Sequence, residues 1–157
     1  MFLTSDTFAD RQKRIRSFDN NDAFIGVLLA TMDFEWTLRR AIIALGYQKN
    51  STIRDQVLAN CSGIDRYKDA WKQQVKPRQG VTLPSIVSDW EFLKNQAFPL
   101  RHRLVHGIKA ATGVQYARER RDCLLDASKA VVDFSATKGV DLYARLPVRR
   151  KDMVLTP

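Results

Sequence analysis

Histidine and cysteine are scarce in this chain, with two of each in 157 residues. Cys61 and Cys123 have no companion thiol nearby, which excludes a metal knuckle or a CxxC redox motif. Two reduced thiols in a reducing compartment are the plain expectation, with the cytoplasm as the expected location. Apolar runs are short. Phe24 to Ala30 is among the longest, whereas a bilayer span needs about 20 residues, so no membrane association is expected. The opening MFLTSDTFADRQKR has no apolar core after a basic start, so no secretory leader is expected. Glycine (7) and proline (5) are few and fall between periodic segments, with no repeat or low-complexity tract. Acidic residues are also in deficit, 17 against 26 Lys and Arg, for a net charge of +9. Such an excess attracts polyanions, nucleic acid foremost, without choosing RNA over DNA.

What remains is an ordinary globular composition, 45% apolar and 27% charged, in a chain of one-domain size. The periodicity is helical. Residues 1–20 read as a basic arm or a short helix carrying Arg11, Lys13, Arg14 and Arg16. Asn20, Asn21 and Asp22 offer N-caps for a long helix to Leu45, with Gly46 suited to a left-handed C′ position. Ser51 to about Asn60 and Ser62 or Gly63 to about Val75 predict two further helices. Lys76 to Pro84, with Pro77, Gly80 and Pro84, reads as a loop. A fourth helix begins near Ser85, is interrupted at Pro99 and ends by Gly107. A last one spans Val114 to Thr137, before Gly139. The basic tail 140–157 reads as docked or flexible, with a short edge strand conceivable over Val140 to Val148. The expected architecture is all-α, a bundle of four to five helices over residues 21–139.

One stripe of the first long helix joins Phe24, Leu28, Thr31, Glu35, Leu38, Ile42 and Leu45. Glu35 lies within it, so a partner is expected, since burying a lone carboxylate costs several kcal/mol. Arg39, one turn on, suits an i,i+4 pair. Either this is an internal ion pair, or Glu35 orients a basic group on another helix that does chemistry. Arg40 lies at the edge of the apolar arc, within reach of solvent or a phosphate.

Both histidines fall in Leu100-Arg101-His102-Arg103-Leu104-Val105-His106-Gly107. Imidazole exchanges protons near neutrality, and guanidinium presents a planar fork of donors to a phosphate. The i,i+4 spacing of His102 and His106 puts them on one helix face, but no third ligand or carboxylate stands near, so no metal or other cofactor is expected. A bland alternative makes His106 a helix-terminal residue and Arg101 a structural ion-pair partner. Arg101 and His106 are five residues apart, roughly 140° around an ideal helix. Convergence on one phosphate requires unwinding of the last turn or a second copy across a two-fold axis.

Arg101-x4-His106 in LRHRLVHG resembles the R-x4–6-H motif of HEPN domains, and Glu35-Trp36-Thr37-Leu38-Arg39-Arg40 resembles the E-x3-K-R motif of some HEPN families. Both occur in the family's order, on separate predicted helices. His102 stands where the family often has Asn or Asp, and Gly107 where one toxin subgroup has Tyr. The resemblance implies a helical bundle that homodimerises through the motif-bearing helices. It further implies a metal-independent endoribonuclease of toxin–antitoxin or antiviral systems, with RNA as substrate and an antitoxin protein as a candidate partner. Arg101, His106 and His102 would then be catalytic, Glu35, Arg39 and Arg40 supporting, and Arg103 substrate-binding. Two alternatives stand beside it: a non-catalytic HEPN module binding RNA, nucleotide or a partner protein, and a structural helical dimer.

Overall fold

The computed structural model describes residues 5–19, 22–107 and 113–155, and among these every regular element is helical. The elements are α1 (Phe8–Arg16), α2 (Ala23–Leu45), α3 (Asn50–Thr52) running into a π-helical turn (Ile53–Val57), α4 (Ile64–Gln74), α5 (Lys76–Gln79) and α6 (Leu83–Ile86). Then come α7 (Trp90–Phe92), a second π-helical turn (Leu93–Ala97), α8 (Phe98–His106) and α9 (Val114–Thr137). The short pieces raise the number above the four to five expected. No helix of the described residues is long and apolar enough to cross a membrane. The chain forms two compact units: residues 1–35 with 89–128, and residues 36–88 with 129–157.

In the first unit, α1 is a docked helix, not a loose arm. Thr7 and Asp10 close a capping box at its start. Ile15 is fully buried, and Arg11 is 5% exposed against the fully buried Asp33 of α2, with Nη1 to Oδ1 at 3.4 Å. Arg14 pairs with Asp6 at 3.0 Å and Arg16 with Asp122 at 2.7 Å. These arginines are thus tied to acids of the same unit. The buried stripe of this part of α2 is Ala23, Val27, Ala30 and Phe34, one position out of phase with the expected one, of which only Thr31 is buried here. Phe24 is accordingly 41% exposed, Glu35 is half-buried, and the buried carboxylate is Asp33. The expected caps Asn20 and Asn21 lie outside the described residues.

In the second unit the expected stripe is in phase: Leu38, Ile42 and Leu45 are buried. Gly46 does not adopt the left-handed conformation predicted for it. A Cβ there would lie 2.6 Å from Ile53 Cδ1 and 2.7 Å from Ile42 O, so glycine is needed for close packing. The expected loop 76–84 contains α5 and the start of α6, because Pro77 and Pro84 occupy first-turn positions, where a missing N–H costs nothing.

The tail is docked and, among its described residues, forms no strand. Arg40 donates to the carbonyls of Leu142 and Ala144, and Met153 N donates to Tyr47 O at 2.8 Å. Arg149 donates to Ile43 O (2.8 Å), Ala44 O (3.3 Å) and Gln48 O (2.7 Å). It thereby satisfies carbonyls at the C-terminal end of α2 that have no helical partner. Burial, and then the charge of Arg78 beside it, lower the pKa of Arg149. Arg149→Ala is expected to cost about 1.5–3 kcal/mol, the scale of hydrogen bonds to a charged group. Urea unfolding checks this, and an unchanged midpoint would remove the capping role.

Candidate functional site

The segment bearing both histidines is held by its apolar residues and by a backbone irregularity. Pro99 cannot donate to the carbonyl four residues back, and its ring would crowd that carbonyl in a regular helix. The chain answers with the π-helical turn Leu93–Ala97, where Phe98 N donates to Leu93 O, so the expected interruption is a widened turn directly followed by α8. Such turns recur at functional sites. Leu93, Ala97, Phe98 and Leu100 are buried, and Phe98 meets Phe34 of α2 edge-on with ring centroids 6.1 Å apart. These contacts anchor one face of α8 and leave the other to solvent.

His102 and His106 lie on the exposed face, with ring centroids 4.4 Å apart and planes tilted by 49°. α8 stays helical through His106 and is closed by Gly107 in the left-handed region, φ 67°. The last turn therefore does not unwind toward Arg101. Arg101, half-buried, keeps its roughly 140° separation from His106. The structure brings the two imidazoles together and does not bring Arg101 to His106 within one chain.

Arg103 is half-buried and donates Nη2 to the hydroxyl of Tyr116 on α9 at 3.2 Å, while its buried Nε has no hydrogen-bond partner among the described residues. The Tyr116 ring lies 3.3 Å below the guanidinium of the buried Arg120, which also donates to Gln96 Oε1 at 3.1 Å. Tyr116 and Arg120 thus tie α9 to the segment around α8. The sequence reading missed this pair, although its i,i+4 spacing was visible on a predicted helix.

The other expected site residues lie on α2. Arg39, in the second unit, donates Nε to Tyr67 Oη at 2.8 Å and Nη2 to Cys61 O at 2.9 Å. Arg40 lies over the Trp36 ring, 4.9 Å from its centroid, while bonding the tail carbonyls. Both guanidiniums brace backbone and aromatic groups of their own unit.

Neither cysteine is in a disulfide. Burial raises the Cys61 thiol and pushes Cys123 up to about 11, so neither is a ready thiolate nucleophile at neutral pH. Among the described residues no group of three or more His, Cys, Asp or Glu could hold a metal ion. No family model matches the chain, and no curated protein or solved structure matches it.

Proposed function

We propose that this chain is a HEPN-like, metal-independent endoribonuclease acting on single-stranded RNA as a homodimer. The observation that carries the reading is the exposed imidazole pair on α8, 4.4 Å apart, in a segment that also holds Arg101 and Arg103. RNA supplies its own nucleophile. One imidazole accepts the proton of the ribose 2′-OH as that oxygen attacks the adjacent phosphorus. The P–O5′ bond breaks, and an imidazolium donates its proton to the leaving 5′ oxygen. The products carry a 2′,3′-cyclic phosphate and a 5′-OH. Arg101 holds the non-bridging oxygens as charge develops on them, and Arg103 gathers the neighbouring phosphate. Arg39 and Arg40 take no part in this step, since each braces groups of the second unit.

The second copy enters because Arg101 and His106 diverge around α8. A two-fold axis beside α8 sets the Arg101 of one copy against the histidines of the other. Large apolar side chains exposed in the same unit favour such a partner: Phe24 (41%), Met32 (58%), Val105 (51%) and Val114 (37%). A cytoplasmic toxin or antiviral effector held in check by an antitoxin protein is the setting that fits this chemistry.

The test is incubation of purified protein with end-labelled single-stranded RNA in EDTA. The expected result is cleavage to cyclic-phosphate ends, with none at positions carrying a 2′-deoxyribose. RNA retarded in a gel without cleavage would make the chain a non-catalytic binding module. RNA neither bound nor cut would remove both forms of the reading.

A further inference from the structure

We propose that His102 and His106 form a two-point chelate for a nitrogen-preferring divalent transition metal, Zn²⁺, Ni²⁺ or Cu²⁺, and that its binding switches the site off. The chelate stands on geometry alone, whereas the switching rests on the ribonuclease reading above.

The two rings project from one face of α8 one turn apart, their centroids separated by 4.4 Å and their planes tilted instead of stacked. Zinc–imidazole bonds are about 2.0–2.1 Å long, so two ligand nitrogens on one tetrahedral ion lie roughly 3 Å apart. Rotation of exposed rings already this close reaches that spacing without moving the backbone. His106 sits in the last turn of α8, at the negative end of the helix, which favours a cation there. Arg103, the cation between the two histidines in sequence, is drawn off toward the Tyr116 hydroxyl.

With no set of three ligands among the described residues, water completes the coordination. The site is therefore exchangeable, unlike a closed structural zinc site. Copper should bind more tightly than nickel or zinc, and oxygen-preferring Mg²⁺ should not bind. An imidazole whose lone pair is given to a metal cannot accept the 2′-OH proton. Metal occupancy and cleavage are then mutually exclusive, and a chelator restores activity.

Untagged protein titrated calorimetrically with ZnCl₂, NiCl₂ and MgCl₂ tests this. Wild type and Arg101→Ala are expected to bind zinc and nickel alike and to ignore magnesium. His102→Ala and His106→Ala should each weaken binding by about tenfold or more, a loss seen even when groups merely supporting a metal ligand are removed. With Cu²⁺, electron paramagnetic resonance should report two nitrogen ligands in wild type and fewer in either variant. Histidine variants that bind as wild type does, or a wild type that binds none of these metals, would overturn the chelate. In the cleavage assay, zinc should inhibit over the concentration range in which it binds, and EDTA should reverse it. Cleavage that continues with the metal bound would overturn the switch. A wild type that binds zinc yet cuts no RNA in EDTA would sink the ribonuclease reading and leave the chelate in place.

Discussion

His106→Ala is expected to slow RNA cleavage by about 10²–10⁴-fold, the usual contribution of a side chain that moves a proton in the transition state. The protein should remain folded. The imidazole is exposed on the final turn of α8, and Phe98 and Leu100, which hold the helix, are untouched. The structural cost is that of replacing an exposed side chain, usually within about 0.5 kcal/mol. A large rate loss with a nearly unchanged unfolding midpoint is therefore the signature expected of a reacting group.

His102→Ala should show a loss of the same order, because the reaction needs one imidazole to take a proton and another to give one. If the two act as a unit, the double variant will be scarcely slower than either single one. Arg101→Ala is expected to cost about 10²–10³-fold, the scale for losing one donor to a developing oxyanion. Wild-type rates in His106→Ala would remove the imidazole pair from the chemistry, whatever Arg101 does.

How far the sequence led depended on how one-sided each helix was. α9 runs from Val114 to Thr137 as expected, because its apolar period is clear and Gly113 and Gly139 bracket it. The candidate segment stood out for a different reason: the histidines are few, and both fall within it. α2 misled because its first half is apolar nearly all round. Phe24 and Leu28 step by four as regularly as Ala23 and Val27 do, and periodicity alone cannot choose between them. The choice is made by α1, whose Arg11 demands a buried acid and finds Asp33. That partnership crosses 22 residues and left no mark in the pattern of α2 itself. Glycines and prolines were ambiguous in the same way. Gly107 ends α8 as expected, whereas Gly46, expected to be left-handed, serves close packing. Pro99 widens a turn where it was expected to interrupt one. The i,i+4 spacing of Tyr116 and Arg120 was visible on α9, but nothing in a single sequence marks that Tyr116 will meet Arg103 of another helix.

Arg11→Ala should be the most destabilising single substitution in the first unit, and its cost should depend on pH. Removing one partner of a buried pair leaves an uncompensated charge and typically costs about 3–5 kcal/mol. Burial already pushes the Asp33 carboxyl above its ordinary value, with Arg11 working against that shift. Without Arg11 the folded-state pKa rises further, while the unfolded carboxyl stays near its usual value of about 3.9. A group raised on folding is best tolerated when protonated. The deficit of Arg11→Ala is therefore expected to be full at pH 8, to shrink as pH falls through the raised folded value, and to be small near pH 4, where the folded carboxyl is protonated and the unfolded one about half so. Urea unfolding at the two pH values measures it, and a deficit equal at both would mean that lost packing, not charge, sets the cost. Should the variant be unfolded at neutral pH, Arg11→Met with Asp33→Leu provides the second measurement. Replacing both charges with apolar groups of similar volume should recover most of the stability, since neither ion is then left alone in the core. The consequence extends to the site. Asp33 adjoins Phe34, and Phe34 meets Phe98 at the start of α8. Loosening α1 therefore disturbs the helix that carries both histidines, and Arg11→Ala should lose cleavage in step with folding, whereas His106→Ala loses it while folded.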